Sequence, residues 1–263
     1  MLYIKLVVKA ILYKPLFNAL ILLVWLIPSH SVGWAIIILT IIVRLVLLPS
    51  SMKATTNQKR MADLQPKIKE LQAKYKNDKS AQSKALMAFY KENKINPLGS
   101  CLPLLIQFPI LIILYYVFIH GLDTSRFDLL YSWAPRPSTI NTIFFGINLS
   151  NPERWILPVV AGGLQFVQSW RMRPLTKSQD SGMQNALQSQ MTFLMPVITV
   201  LIAGRLPAAL PLYWIVTTLF AVVQQWFVFR KKGPLPAVVG QPEEPIAVKK
   251  GNVLVTVRKK KQE

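Results

Sequence analysis

A chain of 263 residues that is 52% hydrophobic, has a mean hydropathy of +0.36 and carries a formal charge of +20 does not read as an ordinary soluble domain. Nor does it read as a DNA-binding protein, because its basic and apolar residues occupy separate blocks, the pattern of an integral membrane protein with cationic surfaces. The single cysteine, Cys101, excludes an intrachain disulfide.

The N-terminal segment, 1–31, sets Lys5, Lys9 and Lys14 among aliphatic residues. Its apolar core, 16–28, is short of the roughly 20 residues that a spanning helix needs. The pattern predicts an interfacial amphipathic helix on the extracytoplasmic side, turning at Pro28. A first spanning helix or uncleaved anchor is the alternative, and no small-residue cleavage site marks a signal peptide.

Residues 32–51 are expected to form the first core transmembrane helix. Within it, "AIIILTIIVRLVLLP" (35–49) carries Arg44 in an otherwise apolar run. A central arginine costs ~3 kcal/mol on insertion scales. The surrounding Ile, Leu and Val each return ~0.3–0.6 kcal/mol, so the segment should still insert.

Residues 52–97 hold eleven Lys/Arg against four acids. Met61, Leu64, Ile68, Leu71 and Tyr75 recur at helical spacing, and Leu86, Phe89 and Tyr90 begin a second stripe. These predict a basic cytoplasmic helical hairpin with its turn at 76–80 and a kink at Pro66. Four further transmembrane helices are expected within 98–229, near 98–120, 154–172, 189–206 and 208–229. They are joined by an extracytoplasmic loop at 121–153 and a cytoplasmic loop at 173–188. The 121–153 loop carries Phe127, Tyr131, Trp133, Phe144 and Phe145, residues suited to a membrane interface. The tail, 230–263, has nine Lys/Arg against three acids and is expected to be basic, cytoplasmic and largely disordered, with a proline-containing linker at 233–248. The positive-inside rule then puts the N-terminus outside and the C-terminus in the cytoplasm, with five spans between.

All eleven acids fall outside the expected spans, so Arg44 has no carboxylate partner within the membrane. Snorkelling to the cytoplasmic interface or carbonyl capping could hold it. A water-filled cavity open to a transient anionic partner is the functional reading, since intramembrane charges default to function. Thr40 lies one turn before Arg44 on the same face. Gln165 and Gln168 share a face of the third span beside Gly162 and Gly163. Trp214, Thr217, Thr218 and Gln225 line the last. Each polar residue alone more often bonds a neighbouring helix. Three polar stripes beside an unpaired arginine suggest a hydrophilic groove partly embedded in the bilayer. His30 and His120 stand apart from any acid or cysteine cluster, so neither a metal site nor a cofactor is expected. No catalytic constellation or phosphate loop appears, and the chain does not read as an enzyme.

The segments "WAIIILTIIVRLVLLP", "LQPKIKELQAKYKNDK", "FYKENKINPLGSCLPLLIQFPILIILYYVF", "NPERWILPVVAGGLQFVQ", "MTFLMPVITVLIAGRLPAALPLYWIV" and "VVQQWFVFRK" follow one another in an order that resembles the YidC/Oxa/Alb family of membrane protein insertases, over about 15–232. The resemblance implies an all-α integral membrane protein with five transmembrane helices around a groove closed to the outside and open to cytoplasm and lipid. It implies that Arg44 and Thr40 are the groove arginine and threonine, and that a groove aromatic falls at Trp214 where some members have tyrosine. Gln165 and Gln168 rest on the polar face alone. A compact bacterial form fits best, in the plasma membrane, without the large extracytoplasmic domain of many relatives.

The expected mechanism is electrostatic. A wet groove shortens the low-dielectric path for a hydrophilic, often acidic tail of a nascent membrane protein, and Arg44 attracts its acids transiently. The apolar segment then passes the last-helix aromatics into lipid. The basic tail could meet ribosomal RNA or anionic lipid; a Sec translocon as partner is left open. An assembly factor without insertase activity is the first rival reading. A small-solute transporter is the weaker one, because no internal repeat is seen.

Overall fold

The computed structural model describes residues 12–93, 102–121, 129–171 and 182–230, with two tail strands at 246–250 and 253–257. Eight α-helices are described: α1 (Lys14–Leu26), α2 (Val32–Val46), α3 (Leu48–Lys74), α4 (Lys79–Glu92), α5 (Leu102–Gly121), α6 (Ile156–Arg171), α7 (Gly182–Ala203) and α8 (Ala209–Arg230). Two antiparallel ladders accompany them, β1 (Ile143–Phe144) with β2 (Ile147–Asn148) and β3 (Ile246–Lys250) with β4 (Val253–Val257). The chain is mostly helical, as the residue pattern predicts.

Among the described residues, α8 alone is long and apolar enough to span a membrane as one straight helix, and α2 with α3 passes the same test as a pair bent by 70°. Lys14–Leu26, Pro109–Ile119 and Thr192–Ala203 are shorter apolar helices. The helices leave large apolar residues exposed on their outer faces: Ile42 and Val46 on α2, Ile112 on α5, Val159 and Trp170 on α6, Val197 and Leu201 on α7, Val223 and Phe227 on α8. Outward apolar side chains on five helices are consistent with an all-α membrane protein.

One face of α1 (Phe17, Leu20, Ile21 and Val24) is fully buried against α2 and α5. It joins Val32, Ala35, Ile36 and Leu39 of α2, Val117 and Phe118 of α5, and Leu210, Leu212 and Tyr213 of α8 in one apolar core. Asn18 sits in that face, 2% exposed. It satisfies its amide by donating to Lys14 O (2.8 Å) and Leu129 O (3.3 Å) and accepting from Tyr131 N–H (2.7 Å). The short helix is thereby tied to the loop at Leu129 and Tyr131. Residues 1–11, with Lys5 and Lys9, lie outside the described residues.

The expected boundary between first span and hairpin shifts toward the N-terminus. α2 ends at Val46, and α3 begins at Leu48 rather than near 52. Pro49 is the cause: it has no N–H to donate to Leu45 O, and its ring crowds that carbonyl, so the chain bends and starts a new helix. The hairpin itself packs as its sequence stripes predict. Leu64, Ile68 and Phe89 are buried with Met61, Leu71, Leu86 and Tyr90 around them. Asp78 caps α4 by accepting from Ser80 and Ala81 N–H (both 2.9 Å) within the expected turn. α3 continues as one helix through Pro66. Burial in this seam pushes the Tyr90 phenol above its ordinary value.

The tail departs from the expectation of wide disorder over ten residues. "IAVKK" and "VLVTV" pair antiparallel from Ile246↔Val257 to Lys250↔Val253. Their β-branched content favours a pleated pair. The rest of the 233–248 linker up to residue 245, the "VRKKK" end from Arg258 and Phe127 lie outside the described residues. So do 173–181 of the expected 173–188 loop, whose remainder is the start of α7.

On the opposite side, the loop closes over the helix ends. Val32 N–H donates to Asn141 O and Asn141 N–H to His30 O (both 3.0 Å). Gly33 is obligatory here: a Cβ at this position would lie inside the Phe144 ring, which stacks edge-on to Trp34 at 5.5 Å between centroids. Phe145 (φ 48°) and Gly146 (φ 80°) turn the β1–β2 hairpin and leave the Phe145 ring exposed.

Glu153 caps α6, accepting from Trp155, Ile156 and Leu157 N–H at 2.8–3.0 Å. Desolvation would raise its carboxyl, but the three donated bonds outweigh this and hold it below the usual carboxylate range. A depressed folded-state value means the cap stabilises above the unfolded-state value and is lost as pH falls through the folded one. Glu153→Gln should therefore lower the thermal midpoint near neutral pH. The gap to wild type should close on acidification through the carboxylate range, as followed by thermal denaturation in detergent at several pH values.

Candidate functional site

Arg44 lies on α2, three residues before the break at Leu47, half-buried among apolar neighbours. Its Nη2 donates to Gln107 Oε1 on α5 at 3.0 Å. Gln107 Nε2 in turn donates to the Tyr213 hydroxyl on α8 at 2.6 Å. Three helices from distant parts of the chain thus meet through one polar chain: guanidinium, amide, phenol. The acceptor on the arginine is neutral, so the bond orients the guanidinium without cancelling its charge. No Asp or Glu occurs within α2, α5, α6, α7 or α8.

Thr40 is buried one turn before Arg44, and its hydroxyl donates back to Ile36 O at 2.6 Å. That bond satisfies the hydroxyl within its own helix and leaves the Arg44 face to the glutamine. On α8, Thr217 lies one turn beyond Tyr213 on the same face, 8% exposed, and its Oγ1 has no hydrogen-bond partner within the described structure. Trp214 and Thr218 form the adjacent column, both half-buried, with Trp214 packed against the apolar core. Gln225, the last residue of that stripe, is buried.

The α6 glutamines are arranged differently from the other predicted site residues. Gln165 accepts from the Thr199 hydroxyl of α7 at 2.6 Å, a bond within the α6–α7 pair. Gln168 is half-buried one turn further along α6. These polar contacts bring Arg44 together with Gln107 and Tyr213, and leave Gln165 in a separate helix–helix contact.

Gln107 and Tyr213 are the residues that sequence reasoning missed. Gln107 was detectable as the one amide in "LPLLIQFPILIILYYVF". Tyr213 was hidden by its neighbour: Trp214 drew attention as the aromatic of the last span, yet the residue 100° around the helix is the one that faces the arginine.

A second polar cluster follows two turns toward the α3–α4 hairpin, where Ser51, Thr55 and Lys59 of α3 meet Gln224 and Val228 of α8. Among the described residues no three His, Cys, Asp or Glu side chains group as metal ligands would. What the arrangement can do chemically is bind negative charge reversibly at Arg44 within an apolar layer.

Comparison with known proteins places this geometry in context. The family model described as "60Kd inner membrane protein" matches residues 25–234. The membrane protein insertase YidC of Fusobacterium nucleatum is 35% identical over 200 residues, covering 76% of this chain and 86% of the relative. The same-named protein of Clostridium tetani is 37% identical over 199 residues, covering 75% and 81%. That of Ectopseudomonas mendocina is 32% identical over 199 residues, 76% of this chain but 31% of the relative's greater length.

Proposed function

The chain belongs to the 60Kd inner membrane protein family, the YidC/Oxa/Alb group, and from that premise we propose that it is a bacterial plasma-membrane insertase and chaperone for nascent membrane proteins. The observation that carries the mechanism is the Arg44–Gln107–Tyr213 chain: a full positive charge held by a neutral partner inside an apolar layer. Five helices, α2, α5, α6, α7 and α8, cross the bilayer, with the N-terminus outside and the hairpin and tail in the cytoplasm. α1 lies against them near the extracytoplasmic interface. This reading is supported by the outward apolar faces and by the placement of all eleven acids outside those helices.

Insertion then needs no covalent step. The acidic tail of a client leaves the cytoplasm for a polar groove lined by Arg44, Thr40 and Thr217, with Trp214, Thr218, Gln165 and Gln168 as further groove residues. Arg44 offsets the desolvation of the passing carboxylates. The hydrophobic segment partitions into lipid and draws the tail across. The basic hairpin and tail meet the emerging chain and the ribosome electrostatically.

The test is insertion of a single-span client with an acidic translocated tail into liposomes containing the purified protein. Arg44→Lys should retain most insertion, and Arg44→Ala should lose tenfold or more, a loss on the order of the 1.4 kcal/mol that one decade represents. The loss should shrink for a client with a neutral tail. Equal loss for both tails would overturn the electrostatic role. Binding without insertion by wild type would favour an assembly factor.

A further inference from the structure

The bend between α2 and α3 is set by a proline, and a proline break alone does not specify an angle. It removes one hydrogen bond and leaves the two helices joined through Leu47. The 70° angle must therefore be held by contacts on either side of the break.

Those contacts form a ladder between the first turns of α3 and the last turns of α8. Ser51 Oγ lies 3.1 Å from Gln224 Oε1 and 3.0 Å from Leu48 O, with a single proton to share between them. Gln224 Nε2 donates to Thr55 Oγ1 at 2.9 Å, and Thr55 Oγ1 donates to Ser51 O at 3.0 Å. One turn on, Lys59 Nζ donates to Val228 O at 3.2 Å, one of the last-turn carbonyls that α8 cannot satisfy internally. Residues 51, 55 and 59 are spaced by one turn, as are 224 and 228, so the two helices keep step. Gln224 and Thr55 are 7% and 8% exposed, and in such surroundings an unmatched amide is costly. The amide of Gln224 uses both its ends, one on each of two consecutive turns of α3.

We propose that Gln224 is a positioning residue that fixes the angle of the basic hairpin relative to the membrane-embedded helices. Leu47 acts as the pivot and Arg44 lies immediately on its other side. Swinging the hairpin breaks both amide bonds at once, because they lie on one buried face. The hairpin is thereby held as a single body with α8, and its seam of Leu64, Ile68 and Phe89 moves with it. The consequence for activity rests on the insertase reading; the positional claim does not.

Double electron–electron resonance on full-length protein in nanodiscs tests this without any insertion assay. Spin labels are placed at Met87→Cys on α4 and Leu219→Cys on α8, both exposed, in a Cys101→Ser background. The background should give one narrow distance peak. Gln224→Leu should broaden it severalfold, and Ser51→Ala with Thr55→Val should do the same while sparing Gln224. Circular dichroism should be unchanged, since the hairpin keeps its own apolar seam. Gln224→Glu, which keeps the acceptor for Ser51 Oγ and can take the Thr55 proton once that hydroxyl turns away from Ser51 O, should narrow the peak again relative to Gln224→Leu. A narrow, unshifted peak in both Gln224→Leu and the double variant would overturn the proposal. Should Gln224→Leu fail to fold, the Ser51/Thr55 variant decides alone. Loss of insertion with an unbroadened peak would count against Gln224 as the positioning residue, leaving the insertase reading untouched.

Discussion

Gln107→Leu should destabilise the protein by about 1.5–3 kcal/mol, the range for removing a hydrogen bond to a charged group. The arginine would keep its charge and lose the acceptor on its Nη2, and the Tyr213 hydroxyl would lose its donor at the same moment. The half-buried guanidinium and the buried phenol would each lose that partner. The diagnostic result is a cycle. Arg44→Leu combined with Gln107→Leu should be markedly less destabilised than the sum of the singles, because the double variant leaves no unpaired guanidinium. Unfolding by SDS titration in mixed micelles reads all four corners. Additivity within about 0.5 kcal/mol would mean that the bond contributes nothing beyond its separate side chains. Insertion of an acid-tailed client should fall in Gln107→Leu too, but less than in Arg44→Ala, since the charge itself remains.

Gly162→Leu should be the most damaging single substitution in the α6–α7 pair. A Cβ at Gly162 would overlap Val200 and stand 3.0 Å from the Pro196 carbonyl oxygen. The valine methyl can rotate, whereas the backbone oxygen cannot, so the helices must separate. Overpacking of this kind costs about 1–3 kcal/mol, and the leucine adds three more carbons to the same gap. The separation also pulls on the Thr199–Gln165 bond, which lies one turn along the same contact. Small residues allow such close approach in membrane helices, where lipid gives no hydrophobic push toward association. Gly163 is the internal control: a Cβ there meets nothing within 4 Å. Gly163→Ala should be neutral or slightly stabilising, while Gly162→Leu lowers the SDS midpoint and weakens the contact between α6 and α7. Equal behaviour of the two would contradict the packing described.

Much of the helical order was legible along the chain because each signal is local. The stripe Met61, Leu64, Ile68, Leu71 is a periodicity, and its burial against Phe89 follows from having an apolar face at all. The turn at 76–80 was readable from Asp78, whose side chain caps the next helix by bonding two residues away. The break at Leu47 was less so. Pro49 announces that a helix is interrupted nearby, yet whether it ends a span or bends one depends on what packs beyond it. The β3–β4 ladder was missed because two five-residue segments in a basic tail are too short to outweigh its charge composition.

The site divides in the same way. That Arg44 stands in an apolar run without an acidic neighbour, and that Thr40 shares its face, follows from composition and a helical pitch. So does the membrane itself, since long apolar runs and segregated cations leave no other solvent for them. Only the tertiary structure decided that the guanidinium meets Gln107, that Tyr213 rather than Trp214 completes the chain, and that Gln165 bonds Thr199 instead. It also decided that Gln224 joins α8 to α3 across 169 residues of sequence. A helix's rotation about its axis is set by its neighbours, and 100° of rotation exchanges one residue for the next. Periodicity reveals that a face exists, but the face that meets a given partner is fixed only when α2, α5 and α8 pack together.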